Sequence, residues 1–261
     1  MKTKLTKQEK NWILYDVGNS AFTLLAATIL PIYFNYIAGK QGLSDVQYLA
    51  YWGYAVSIAT LLTALAGPVF GTVADTKGYK KPVFTIALGI GAIASVALGF
   101  AKYWLAFLIV FVIAKVGYSV TLVFYDSMLV DVTSEDRMDE VSSQGYAWGY
   151  IGSCIPFVAC LGVVLGAKPL GIGMQTAMII AFIITALWWL LSSVPLLRSY
   201  RQKYFAEVNG HVVKDSFKRL GKTFAELVKE KHIFVFLLAF FFYIDGVYTV
   251  IDMATAYGQA L

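Results

Sequence analysis

The chain has 261 residues, of which 59% are hydrophobic and only 14% charged, and its mean hydropathy is +0.67. A soluble domain carries about 25% charged residues and about 45–50% apolar ones, so this composition excludes an ordinary soluble globule, a disordered chain and a disulfide-rich secreted module. The formal net charge is +5, but the positions of the basic residues carry more information than their sum.

Seven apolar runs are long enough to cross a hydrocarbon core of about 30 Å, which takes roughly 20 helical residues. In chain order they are 17–39, 46–74, 82–101, 103–125, 141–167, 169–197 and 233–257. The sequence therefore predicts an all-α membrane protein that crosses the bilayer several times.

The distribution of lysine and arginine predicts the orientation of these spans. Seventeen basic residues fall in segments that lie on the same side as the N-terminus, and three (Lys40, Lys102 and Lys168) fall on the other side. Because basic residues concentrate in cytoplasmic loops, we expect a cytoplasmic N-terminus. We expect a multi-pass integral protein of the cell membrane, or of a vacuolar or other organelle membrane in a eukaryote.

The connection between the sixth and seventh runs contains a predicted amphipathic helix. Its apolar residues recur at helical spacing, and five basic residues lie largely around the other side. The apolar set is Phe217, Leu220, Phe224, Leu227 and Val228, and the basic set is Lys218, Arg219, Lys222, Lys229 and Lys231. We expect this helix to lie on the anionic inner leaflet, so its partner is the lipid bilayer and not nucleic acid.

This order of segments is typical of a carrier built from two similar halves. We expect 1–197 to form a six-span N-terminal half, 198–232 a cytoplasmic central loop, and 233–261 the first span of a C-terminal half. The remainder of that second half is expected in the full-length protein.

Two ionisable residues lie at bilayer depth, where a charge is costly and is a functional candidate by default. With a rise of about 1.5 Å per residue, Lys115 lies roughly 18 Å from the outer end of the fourth span, and Asp245 lies about 18 Å from the inner end of the seventh. We predict that Lys115 and Asp245 face a shared water-filled cavity. Lys115 would bind an anionic group, and Asp245 a cationic group or a proton.

Polar residues accompany these charges at helical spacing on three spans, which predicts that the three line one cavity. The candidate solute-binding residues are Lys115, Tyr118, Ser119, Asp245, Tyr248, Thr249, Asn19 and Thr23, and the candidates for coupling to a proton are Asp16 and Asp245. Asp126 and Asp252, nearer the ends of their spans, are interpreted as interfacial residues.

The connection between the second and third runs reads Gly71-Thr72-Val73-Ala74-Asp75-Thr76-Lys77-Gly78-Tyr79-Lys80-Lys81. It resembles the signature loop of the major facilitator superfamily, in which a glycine is followed by an aspartate, a second glycine and a basic cluster. Gly71 would let two helices approach, and Gly78 would permit a tight turn. The candidate gating residues are Gly71, Asp75, Lys77, Gly78, Lys80 and Lys81.

Three further segments resemble the vacuole-effluxer-like branch of that superfamily. They are Trp12-Ile13-Leu14-Tyr15-Asp16-Val17-Gly18-Asn19-Ser20-Ala21, Gly145-Tyr146-Ala147-Trp148-Gly149-Tyr150-Ile151-Gly152 and Tyr243-Ile244-Asp245-Gly246-Val247. The resemblance implies a central cavity lined by the first, fourth and seventh helices, and amino-acid export among its members. The loop 126–140 departs from the pattern, because it has six acidic residues and Arg137 as its single base.

These observations favour secondary-active transport of a small solute, such as an amino acid or another carboxylate, by alternating access. The alternatives are a non-transporting membrane scaffold or subunit and a seven-helix receptor or light-driven pump. A receptor of that shape has its N-terminus outside, whereas the basic residues here predict a cytoplasmic N-terminus. A retinal pump needs a lysine in its last span, and the run 233–257 contains none. The few histidines and cysteines have no metal-ligand spacing, and a nucleophile elbow or phosphate loop is missing, so we expect no enzyme activity, metal or cofactor.

Overall fold

The computed structural model describes residues 4–205 and 212–261, with the backbone alone at 212–216 and 219. The predicted central loop, 198–232, lies partly outside the described residues, at 206–211. The described part folds into the helices α1 (Lys7–Lys40), α2 (Asp45–Asp75), α3 (Lys80–Ala97), α4 (Trp104–Val132), α5 (Met138–Leu165), α6 (Met174–Ser199), α7 (Val212–Lys229) and α8 (Lys231–Ala260). Short 3-10 turns at Leu98–Phe100 and Glu135–Arg137 follow α3 and precede α5.

Seven helices in the described part of the chain, α1 to α6 and α8, are long and apolar enough to cross a membrane. This confirms the prediction of an all-α, multi-pass membrane protein. The remaining helix, α7, is the predicted amphipathic helix of the central loop. Of its apolar set, Leu227 is half-buried and the other four are exposed: Phe217, Leu220, Phe224 and Val228.

Capping side chains extend several helices beyond their apolar runs. The hydroxyl of Thr6 accepts from the backbone N–H of Glu9, and the Glu9 carboxylate accepts from the N–H of Thr6, so α1 begins ten residues before its charge-free run. Conversely, α6 begins at Met174 and not at the predicted residue 169, since Gly171 adopts a positive φ of 68° in the preceding turn.

The first helix is the centre of the bundle, because it packs mainly against α5 and α6, while α4 packs against α2 and α3. Two groups of buried side chains form the core along its length. One, nearer the predicted inner side, includes Tyr15, Phe22 and Trp189, and the other includes Phe34 and Trp52. Burial of such rings is the main stabilising contribution that side chains make here.

A stripe of glycines brings α5 against α1. Gly145, Gly149 and Gly152 recur at i, i+4 and i+7, and a methyl group at any of them would collide with a side chain of α1. At Gly152 the added Cβ would overlap Cγ1 of Val17 and lie 3.2 Å from its Cβ. The small residues therefore allow the two backbones to approach closely.

The last helix packs against the bundle through its predicted outer half. Trp52 donates from Nε1 to the carbonyl of Asp252 at 3.0 Å, Asn35 donates to the carbonyl of Gln259, and Ala256 is fully buried. The predicted inner half, from Lys231 to Tyr243, is almost entirely exposed. The two halves of α8 therefore have different surroundings.

We expect Gly152→Ala to lower the free energy of unfolding by about 1–3 kcal/mol, since the Cβ of Val17 cannot rotate away and the helices must separate. Gly162→Ala on the same helix is the matched control, because a Cβ there meets nothing within 4 Å. Thermal unfolding of both variants in detergent measures the difference. Equal stability of the two variants would contradict the packing of α5 on α1.

Candidate functional site

An ion pair joins α4 to α8 inside the bundle. The ammonium Nζ of Lys115 lies 2.7 Å from Oδ2 of Asp252, and the two side chains are 17% and 22% exposed. Lys115 is eleven residues from the start of α4, about 16 Å along the helix. A charged pair this deep in an apolar bundle is held by its mutual attraction and by contact with a polar face.

Lys115 pairs with Asp252 and not with Asp245, the residue that the sequence predicts to share its cavity. Asp245 is exposed, and its carboxylate forms no ion pair or hydrogen bond within the described part of the chain. Asp245 and Asp252 share one face of α8 and lie about 10 Å apart along it. Because the outer half of α8 packs on the bundle, Asp252 reaches Lys115 and Asp245 does not.

The polar residues of α1, α4 and α8 converge beside this pair. Thr23 donates from its hydroxyl to that of Tyr118 at 2.7 Å, which joins α1 to α4. Tyr248 on α8 is near enough to interact electrostatically with Tyr118 and with Tyr146 on α5. We call the surface lined by Thr23, Tyr118, Tyr146 and Tyr248 the polar face.

The remaining candidate solute-binding residues take different positions. Ser119 is half-buried and Thr249 is exposed, and neither side chain has a hydrogen-bond partner among the described residues. Asn19 is buried, 1% exposed, and its Nδ2 has no hydrogen-bond partner. Their roles in binding a solute stay predictions.

Asp16, the coupling candidate on α1, is buried against α5. A Cβ at Gly149 would lie 2.8 Å from Oδ2 of Asp16 and 2.9 Å from Oγ of Ser20, so only glycine leaves room for these atoms. Asp126 on α4 interacts electrostatically with Asp16 across the bundle. Asp126 was interpreted as interfacial, and its proximity to Asp16 depends on tertiary packing that helical spacing within α4 does not reveal.

The loop between α2 and α3 turns as predicted at Gly78. Its φ is 79°, a conformation that favours glycine, and its backbone N–H donates to Oε1 of Gln202 at 3.0 Å. Lys77 lies over the ring of Phe205, with Nζ 4.8 Å from the ring centroid. The loop is thus fastened to the chain that follows α6.

Other residues of the signature loop behave differently from the expectation. Asp75 and Lys81 are exposed and take part in no ion pair among the described residues. A Cβ at Gly71 would meet nothing within 4 Å, so the predicted close approach of helices there is wrong. The neighbours of α2 at this level leave open space beside Gly71.

Lys80 is the buried member of the gating set. Its Nζ donates to Oδ2 of Asp131 at 3.1 Å, and the two side chains are 2% and 0% exposed. Asp131 also accepts from the hydroxyl of Tyr200 and from the backbone N–H groups of Lys203 and Tyr204. Burial, together with the hydrogen bond to Asp131, raises the pKa of Tyr200 well above its ordinary value, so the hydroxyl stays a donor.

A second charged contact lies at the same end of the bundle. Arg137 donates from Nη2 to Oε2 of Glu9 at 3.1 Å, and Thr133 donates to Oε1 of Glu9 at 2.7 Å. The acidic loop 126–140 thus supplies Asp131 to Lys80 and its single base to α1. Spacing within one helix does not indicate these contacts, and sequence reasoning missed Asp131 and Tyr200.

Comparison with known families decides what kind of bundle this is. The family model described as vacuole effluxer Atg22 like matches residues 5–138 and 131–261. The chain belongs to this family of the major facilitator superfamily. The effluxer-like resemblance of the sequence is confirmed, and the receptor and light-driven pump alternatives are set aside.

Two relatives of the chain have informative names, and one of them is named as a transporter. The chain is 41% identical to the uncharacterized MFS-type transporter YxiO of Bacillus subtilis over 100% of its own length and 62% of the relative's. It is 36% identical to the multidrug resistance protein MdtG of Yersinia enterocolitica over 35% of this chain and 21% of that protein. The chain therefore spans less than two thirds of the length of these relatives.

Asp131→Asn is expected to lower the free energy of unfolding by about 3–5 kcal/mol, because it leaves the buried ammonium of Lys80 without a carboxylate. Asp136→Asn, which changes an exposed acid in the adjacent 3-10 turn, is the control and should change stability little. Chemical unfolding in mixed detergent micelles measures both. A loss below 1 kcal/mol for Asp131→Asn would contradict the buried pair.

Proposed function

We propose that the protein is a secondary-active carrier that moves a small solute across a membrane by alternating access. The observation that carries the proposal is the ion pair of Lys115 and Asp252 within the membrane-spanning bundle. Ionisable groups in such a position are rare because they are costly, and they mark solute or ion pathways. Membership of the vacuole effluxer family and the printed name of the relative YxiO, an MFS-type transporter, support the same function.

The solute is a small molecule with a carboxylate, such as an amino acid. Lys115 is the basic residue beside the polar face. Its ammonium can bind a carboxylate through charge-assisted hydrogen bonds. Because the carboxylate of Asp252 already pairs with the ammonium of Lys115, a solute carboxylate would have to displace Asp252. An amino group on the same solute would then meet Asp252 or the exposed Asp245.

The polar face supplies further groups for the solute. Thr23 and Tyr118 present hydroxyls next to each other, and Tyr248 lies across from them on α8. Ser119 and Thr249, which have no side-chain partner among the described residues, stand on the same two helices. These residues would provide hydrogen bonds and ring contact for the uncharged part of the solute.

The packing of α8 supports alternating access. Its predicted outer half is held by Asp252, Met253 and Ala256, while its predicted inner half is exposed. Release of the Lys115–Asp252 pair by a solute would remove the charged contact that holds the outer half. The polar face would then open toward the other side of the membrane.

The buried inner contacts would keep the six-helix half rigid during this motion. Lys80 with Asp131 joins α3 to α4, and Glu9 with Arg137 joins α1 to the start of α5. The signature loop is fastened to the segment after α6 through Gly78 and Gln202. A rigid half that rocks as one body is the arrangement that alternating access requires.

In proteoliposomes of the protein at the full length that its gene encodes, we expect Asp252→Asn to lower the KM for a carboxylate solute, since it removes the carboxylate that competes for Lys115. We expect Lys115→Ala to raise that KM by about 10- to 100-fold. This is the effect of losing one charge-assisted hydrogen bond, about 1.5–3 kcal/mol. Lys102→Ala, which removes an exposed lysine of a predicted outer loop, is the control. Solute flux that is unchanged in both site variants would overturn the assignment of this site.

A further inference from the structure

The carboxylates inside the bundle fall into two groups. Glu9, Asp131 and Asp252 each contact a base, at 3.1, 3.1 and 2.7 Å. Asp16 and Asp126 form no ion pair with any described residue, and they interact unfavourably with each other. A carboxylate that is buried without a cation is costly, so Asp16, which is 9% exposed, lacks something that its paired counterparts have, whereas Asp126 is exposed.

Among the described residues, the groups around Asp16 are acids, hydroxyls and the side-chain amide of Asn19, and none of them is a base. Asp16 is 9% exposed and lies against Gly149 and Ser20. The titratable groups that interact with it electrostatically are Asp126, Tyr15, Tyr118, Tyr125 and Tyr146, from α1, α4 and α5. Each of these is neutral or negative at every pH, so none can compensate a charged Asp16.

The hydroxyl of Tyr125 is an independent sign of a missing ligand. Tyr125 is 3% exposed and lies near both Asp16 and Asp126, and its hydroxyl has no hydrogen-bond partner among the described residues. Its ring is stacked on Trp12 with centroids 4.1 Å apart, and Trp12 donates from Nε1 to the carbonyl of Tyr125 at 3.0 Å. The ring is thus held in place by packing, and its polar atom is left without a contact.

We infer that Asp16, Asp126 and the hydroxyl of Tyr125 form a binding site for one monovalent cation, to which Ser20 contributes its hydroxyl oxygen. Carboxylate and hydroxyl oxygens are the ligands that hard cations prefer. Asp126 is exposed while Asp16 is buried, so one positive charge is enough to neutralise the charge that water does not reach. The site lies on the predicted inner side of Lys115.

A single positive charge has two possible sources in this protein. One is an inorganic ion such as Na⁺, and the other is the ammonium group of a solute. Both sources give the site a role in transport, as a coupling ion or as part of the substrate, and this role rests on the proposed function. Binding itself is measurable without transport.

The test is thermal unfolding of the purified chain in detergent, followed by the fluorescence of its six tryptophans. NaCl replaces N-methylglucamine chloride at constant ionic strength, and parallel series use methylammonium chloride and MgCl₂. We expect Tm to rise by roughly 3–8 °C as Na⁺ or methylammonium saturates the site, because a ligand that binds only the folded state stabilises it. A rise in Tm with Na⁺ alone identifies the ligand as an inorganic ion. A rise with methylammonium alone identifies it as the ammonium group of a solute.

Variants show whether that rise belongs to this site. Asp16→Asn should abolish the rise and increase Tm in the absence of cation, since it removes the uncompensated charge. Tyr125→Phe keeps the ring stacked on Trp12 and should weaken cation binding several-fold, which keeps the test usable if Asp16→Asn does not fold. Asp139→Asn, an exposed acid at the start of α5, is the control and should leave the rise unchanged.

Three results would overturn the site: no dependence of Tm on a monovalent cation, a dependence on Mg²⁺ alone, or the same dependence in Asp16→Asn and Tyr125→Phe as in the parent chain. Flux measurements on the full-length protein separate this inference from the transport proposal. Cation binding without flux of any solute would remove the transport function and leave the site. Solute flux without any effect of a cation on Tm would remove the cation site and leave the transport function.

Discussion

The low-dielectric interior of the bundle allows a charged side chain only where an opposite charge, several hydrogen bonds or water compensates it. In the part of the chain that the structure describes, three ion pairs meet this constraint, and each joins residues at least 51 positions apart in the sequence. Lys80 with Asp131 and Glu9 with Arg137 lie at the predicted inner ends of the six-helix half, and Lys115 with Asp252 joins that half to α8. Because removal of one partner leaves the other uncompensated, these pairs fix which helices meet.

The packing of glycines and uncharged rings between the helices determines where those charged residues lie. Glycines of α5 bring α1 close enough for Gly149 to contact Asp16, and the rings of Trp12, Tyr15 and Tyr125 fill the space between α1 and α4. The last helix packs on the six-helix half along its outer half, where Asp252 meets Lys115. A firmly packed six-helix half with a partly attached seventh span is an arrangement in which one charged contact controls a motion.

The sequence was sufficient for features that depend on local pattern. Apolar run length predicted the seven spans, and the turn at Gly78 followed from the motif. Features that depend on tertiary packing were not predictable. Asp245 and Asp252 share a face of α8, so helical spacing does not decide which one meets Lys115. The four donors around Asp131 come from two segments that are far apart in the sequence, Lys80 and the stretch 200–204.

The central claim is that Lys115 is compensated by Asp252 and thereby holds α8 against the bundle. A double-mutant cycle tests it most directly, with the free energy of unfolding measured for Lys115→Met, Asp252→Asn and the double variant, and again with Asp245→Asn in place of Asp252→Asn. The account predicts a coupling of about 0.5–3 kcal/mol between positions 115 and 252 and close to zero between 115 and 245. A larger coupling between 115 and 245, or none in either cycle, would contradict it.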